Sequence, residues 1–311
     1  MNRPNGVVTL VRCPAASPAN QTSVGSMNLP LTFFVSGLEF TPDGRLWAAV
    51  QGFPGSMEQG LYQVNTSTGV MTQVGAPTGL ASDEVLTDLA WNPVTHRLVG
   101  MATTTTGGLN SRLLSFDIHN GAVVSAANVT SNVTVLHVGL ACLPNGEYRL
   151  LDVYNDWVSK LVGNQAVMLG NVLSINLAYN QGIGTDYQTG KMWYAAYQQM
   201  NPALGIGAPS LRTVNTTTGV DTLVGSLPGG SNALYTDVTV QPTVNSCPAD
   251  TTSDHFVDDS DFVSFSSQYD ALECGTPAMT GACSADFNFD GVVDDADFVI
   301  FSVAYDALVC P

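Results

Sequence analysis

The chain has 311 residues, enough for one large core or two modest ones, and 45% of them are apolar, so it is globular rather than disordered. Charged residues make up only 11% and are one-sided: 26 acidic against 9 basic give a net charge of −17. That charge repels a phosphate backbone, which excludes nucleic acid as a partner. No run reaches the roughly 18 apolar residues of a membrane span, the best, Leu29 to Phe40, being interrupted.

The charge is unevenly spread. No Lys or Arg follows Arg212, while thirteen acidic residues lie from Asp250 onward, so that end needs cations from outside. Six cysteines and five Asn-x-Ser/Thr sequons, at Asn20, Asn65, Asn128, Asn132 and Asn215, suit an oxidising, extracellular setting with glycosylation. The amino terminus lacks the apolar core of a signal peptide, so a secreted form would have its signal removed or outside this sequence.

Along the chain one unit recurs. GLEFTPDGRLWAAV (37–50), DLAWNPVTHRLVGM (88–101), GLACLPNGEYRLLDV (139–153) and GIGTDYQTGKMWYAA (182–196) each read as a strand, a turn and a second strand. Each is followed by a second strand pair, at 60–75, 112–129, 157–170 and 211–225, and the Thr-Gly and Asn-Gly pairs among them are hairpin turn signals. First strands begin near Leu38, Leu89, Leu140 and Ile183, and DVTVQP (237–242) offers a fifth near Val238, so the steps are 51, 51, 43 and 55 residues. VVTLVRCPAASPANQTSVG (7–25) resembles the outer pair that the fifth unit lacks. Residues 1–242 are therefore expected to form a mainly β, five-bladed propeller closed by strands from both termini.

Little in that region looks catalytic. His96, His119, His137 and His255 are scattered without zinc spacing and read as structural or surface residues. Trp47 and Trp193 occupy the same second-strand slot and read as packing between blades. Asp43, Asp88, Asp152, Asp186 and Asp237 are channel candidates by repeat position, though not in equivalent slots. Cys142 reads as a buried small residue. Cys13 is open to three readings: a free thiol, a link to another chain, or a bond to an unidentified partner.

The acidic end, 247–311, is a duplication with a displacement of 36 residues. In the second copy Asp286, Asn288, Asp290, Asp294 and Asp297 stand at positions 1, 3, 5, 9 and 12 of a twelve-residue loop. Gly291 stands at the sharp turn, and the Val292 carbonyl at position 7. Calcium takes six to eight oxygens at about 2.3–2.6 Å, which is why a short loop must wrap carboxylates and a carbonyl around it. The first copy offers Asp250, Thr252, Asp254, the Phe256 carbonyl, Asp258 and Asp261. Thr252 is a poorer ligand and His255 stands where Gly is wanted, so two calcium ions are expected, the second hand being the stronger. Helical stripes follow each loop: Phe262, Phe265, Tyr269 and Leu272, then Phe298, Phe301, Tyr305 and Leu308.

Loop plus exiting helix, duplicated, with Asp at position 12, resembles a dockerin of the F-hand, EF-hand-type kind, and the flanking cysteines resemble those of dockerin-like tails of secreted bacterial proteins. The resemblance covers about one fifth of the chain and implies a small α-helical calcium module. If its helices are antiparallel as in dockerins, it favours Cys274 with Cys283 and Cys247 with Cys310, pairing within each hand being the alternative. The Ser-Thr pair by which cellulosomal dockerins contact cohesin is replaced by Asp259, Ser260 and by Asp295, Ala296.

Two functional expectations follow. The first is a non-enzymatic extracellular or cell-surface building block that assembles through the calcium module, head to tail, with another copy of itself. The short link from Pro242 to Cys247 would fix module against propeller. The second is a propeller enzyme, a polysaccharide lyase or glycosidase, or a glycan-binding adhesin, tethered to a cohesin-like scaffold.

Overall fold

Turn chemistry cuts this chain into hairpins. In the segments Asn65–Gly69 and Asn215–Gly219 the Asn side chain accepts the N–H groups two and three residues on, at 2.9–3.0 Å, and the Gly closes back on the Asn carbonyl. Asp186–Gly190 closes in the same way. Such turns fix which neighbouring strands pair.

In the computed structural model, residues 7–30, 33–52, 58–75, 79–104, 110–175, 181–201, 206–230, 233–244, 247–252, 254–279 and 282–307 are described. A first hairpin pairs β1 (Thr9–Arg12) with β2 (Thr22–Ser26). Four antiparallel four-stranded sheets follow: β3 (Phe34–Phe40), β4 (Leu46–Gln51), β5 (Gly60–Val64) and β6 (Met71–Gln73); then β7 (Glu84–Asn92), β8 (Arg97–Thr104), β9 (Ser111–Phe116) and β10 (Val123–Val129). The third is β11 (His137–Cys142), β12 (Tyr148–Asp152), β13 (Trp157–Val162) and β14 (Gln165–Val172). The fourth is β15 (Gly182–Asp186), β16 (Lys191–Asn201), β17 (Ile206–Val214) and β18 (Asp221–Ser226). Each sheet is a meander in chain order, and the first strands β3, β7, β11 and β15 lie beside one another at the centre, as in a propeller.

The apolar residues lie between blades. Trp47 and Leu61 of the first pack with Leu89, Trp91 and Leu114 of the second; Met101 of the second packs with Leu140, Cys142 and Leu150 of the third. Arg45 and Lys191 lie over the rings of Trp47 and Trp193, with the Lys191 amine 4.1 Å from its ring.

The blade count corrects the sequence reading. Among the described residues four four-stranded blades and two short helices form, not a five-bladed ring with an EF-hand module. Residues 237–242 form no strand among the described residues, and β1–β2 is a separate two-stranded sheet. Segment 237–240 instead threads between β15 and β3. A Cβ on Gly184 would strike the Val238 carbonyl, and the Asp237 carboxylate takes the N–H of Leu38 on β3. That side chain substitutes for backbone pairing. Val11, Val238 and Val240 pack against the cluster that holds Trp193, while Val8 and Met27 pack with Phe40 and Leu46, so the two pieces fill the sector apolarly.

At the acidic end stand α1 (Asp259–Tyr269) and α2 (Asp295–Ala307), each following its loop, with no helix entering either loop among the described residues. Asp258 caps α1, and Asp261 completes a capping box. Phe265 and Phe301 are buried with ring centroids 5.2 Å apart, whereas Phe262 and Phe298 are more than 40% exposed. Leu272 lies beyond α1, exposed and in a left-handed conformation, and Leu308 lies outside the described residues. Tyr269 at the end of α1 donates to Asp295 at the start of α2, and Tyr305 donates to Asp259. The helices are therefore antiparallel. Cys274 and Cys283 form a disulfide, and Cys247 is also disulfide-bonded. Cys310, its expected partner, lies outside the described residues.

Candidate metal centre

The two acidic loops fold alike despite their different residues. In the second, Asp286 accepts the N–H groups of Asp290 at 3.1 Å and Gly291 at 2.8 Å. Asp297 accepts those of Phe287, Asn288 and Asp294 at 2.7, 3.1 and 3.0 Å. In the first, Asp250 accepts from Asp254 at 3.1 Å and His255 at 2.8 Å, and Asp261 from Thr252 at 2.9 Å and Asp258 at 3.0 Å. Positions 1 and 12 are thus turned inward and buried in both loops, and oxygens of Asp250, Asp254 and Asp261 lie within 4.8 Å of one another. His255 holds φ +73° at the slot where Gly291 has φ +82°, so the sharp turn survives the missing glycine at a conformational cost.

Electrostatics separates the two. Burial, with the Asp286 charge adding, pushes Asp297 up to about 6 against the hydrogen bonds that lower it. Burial also works to raise Asp261. The N–H groups of Asp258 and Thr252 and the hydroxyls of Thr251 and Thr252 together outweigh it, and the carboxyl lies below its ordinary value. Hard oxygen donors crowded this way fit a calcium-sized cation, whose charge would cancel the repulsion at Asp297. Asp258 and Asp294 lie at their loop rims, and their carboxylates accept Ser260 N–H and Ala296 N–H, both at 2.8 Å. Asn288 Nδ2 donates to Asp290 at 3.0 Å. Thr252 and Phe256 are exposed, and Val292 is half-buried.

The second loop is also held by the propeller, through side chains that the sequence reading did not single out for it. His96 Nδ1 lies 3.1 Å from Asp286 Oδ2, and Arg45 reaches the Asn288 carbonyl at 3.5 Å. Phe289 packs edge-on against Trp91 at 6.0 Å and beside His96 at 5.8 Å. One signal could have pointed there. His96 has φ +48° in the first-hairpin turn, a slot that sister units fill with Gly44, Gly146 and Gly190.

Of the five channel aspartates, Asp88 and Asp237 come together. Asp43, Asp152 and Asp186 are each engaged in local turns. Asp88 is buried and accepts Leu89 N–H at 2.8 Å and Leu140 N–H at 2.6 Å. Asp237 Oδ1 is closed from solvent, and the Asp88 carboxyl faces Asp237 within hydrogen-bond reach. Burial, then their mutual repulsion, raises Asp88, and burial raises Asp237 to about 8, so the pair holds a shared proton. Glu39 is buried beside them and likewise raised, by burial and by the charge of Asp237. Where the central strands begin, at the end away from the acidic loops, Glu84 pairs with Arg112 and buried His137 Nδ1 lies 3.2 Å from Ser111 Oγ. Burial lowers His137 to about 4, and it stays neutral. Cys142 is buried and Cys13 half-buried, and both are free.

No protein-family model matches the chain, and no curated protein does. Among solved structures it is similar to a putative gluconolactonase, at 13% identity over 75% of this chain and 79% of that one, with a TM-score of 0.45. It is similar to regucalcin, a calcium-binding protein from Agrobacterium tumefaciens, at 16% identity over 71% of this chain and 66% of that one, with a TM-score of 0.40. A putative 6-phosphogluconolactonase from Bacteroides uniformis gives 12% identity, coverage of 74% and 80%, and a TM-score of 0.39. The chain spans just under two thirds of the length of regucalcin. These likenesses are of fold alone and assign no activity. The expectation of a non-enzymatic protein is withdrawn, since propellers described as putative lactonases stand among these structures.

Proposed function

We propose that the two acidic loops bind calcium and that the helical end they order is a dockerin-like tether for the propeller. The observation that carries this reading is the duplicated inward fold of Asp250 with Asp261 and of Asp286 with Asp297, each pair buried and oriented by backbone N–H groups. Calcium suits the donors better than magnesium, which keeps more of its water. The tethered propeller is then the working part: an extracellular polysaccharide lyase or glycosidase, or a glycan-binding adhesin, with a cohesin-like scaffold as partner. The second acidic loop lies against the turns at the other end of the central strands, so we assign such a ligand to the end where those strands begin.

Calorimetric titration of the chelator-treated full chain with calcium tests the reading. Two ions per chain are expected, with Asp261→Asn and Asp297→Asn each removing one. A wild-type chain that takes up no calcium refutes it.

A further inference from the structure

The two loops share half of their residues, yet the contacts with the propeller seen among the described residues fall on the second. Turns of the first and second blades, 41–45 and 92–97, close on the second loop: His96 on Asp286, Arg45 on the Asn288 carbonyl, and Trp91 on Phe289. A Cβ on Gly291 would strike the Arg97 guanidinium and the Thr95 carbonyl, and one on Gly275 would strike Thr95. The contacts run from loop position 1 to position 6. In the first loop Thr252, Asp254 and His255, at positions 3, 5 and 6, are exposed.

We infer that the second loop is a composite site, in which His96, Arg97 and Arg45 of the propeller position the loop's ligands, so that cation binding there, and not in the first loop, is coupled to the propeller. The inference rests on the calcium reading of the loops. Asp286 is bonded at once by Gly291 within its own loop and by His96 from the propeller, so the geometry of ligand position 1 depends on both bodies. Linkage then runs both ways: docking tightens the cation's grip, and the cation tightens docking by the same factor.

The test uses the full chain and calcium alone. His96→Gly removes the imidazole while suiting a turn whose sisters already carry glycine, and it is combined with Arg97→Ala. Calorimetry should show one of the two sites weakened about tenfold, within the usual range of coupling, and the other unchanged. Arg45→Ala is the second variant, made on a part-exposed side chain, and should weaken the same site by a smaller factor. In parallel, thermal unfolding followed by tryptophan fluorescence should show calcium raising the propeller's midpoint in wild type and in Asp261→Asn but not in Asp297→Asn. Two ions bound with wild-type affinities in every propeller variant would overturn the coupling and leave the calcium reading standing. No binding by the wild type would overturn both.

Discussion

Asp237→Asn tests the shared proton at the propeller's centre. In the wild type the carboxyl is raised to about 8 from an ordinary 3.8, chiefly by burial. A raised acid contributes its stability fully below the unfolded value and loses it as pH climbs through the folded one. Over that window folding keeps about one proton that the unfolded chain releases, which costs about 1.4 kcal/mol per pH unit, or about 3 kcal/mol between pH 5 and pH 7. Asparagine has no proton to lose. Its oxygen can still accept Leu38 N–H and its amide can donate to Asp88, which keeps its bonds from Leu89 and Leu140. Urea unfolding followed by the buried Trp47 and Trp91 at pH 5, 6 and 7 measures the difference. Asp237→Asn should gain about 3 kcal/mol on the wild type as pH rises from 5 to 7. A difference that stays constant within about 0.5 kcal/mol would refute the shared proton, because a merely structural change shifts stability equally at every pH.

Two further outcomes follow from the acidic end. His255→Gly relieves the left-handed strain in the first loop and should stabilise it by about 0.5–1 kcal/mol, read as a severalfold gain in calcium affinity at that loop by calorimetry. Phe301→Ala empties the centre of the ring stack formed with Phe262, Phe265, Phe287 and Tyr305 and should cost about 3–5 kcal/mol. Helical circular dichroism should then melt at lower temperature, whereas Val303→Ala, on a side chain 69% exposed, should change little.

Much of the fold was legible because it is local. The hairpin turns are written in residues no more than four apart, and their recurrence marks each four-stranded meander. The Cys274–Cys283 bond agrees with the pairing that the dockerin resemblance favoured. Sector closure was not legible. DVTVQP alternates like a strand, but whether it pairs depends on what flanks it in the ring, and there the Asp237 side chain takes the N–H that a neighbouring strand would have used. The meeting of His96 with Asp286 was equally hidden, since 190 residues separate them and neither stands in a motif with the other.

The docking of the second loop also accounts for a difference between the copies that loop chemistry alone leaves open. Both loops need a left-handed residue at position 6, and the first meets the need with His255 at φ +73°. Backbone conformation therefore does not by itself demand glycine there. What separates the two is the space around the residue: His255 is exposed, whereas Gly291 is buried with the Arg97 guanidinium and the Thr95 carbonyl too close for any Cβ. The same contrast runs into the helices. The positions of α1 matching Ile300 and Val303 of α2 are Ser264 and Ser267, so the copy that lies against the propeller is also the one with the more apolar exposed helix face. The duplication thus yields two unlike units, one open to solvent around its turn and one built around the propeller's surface.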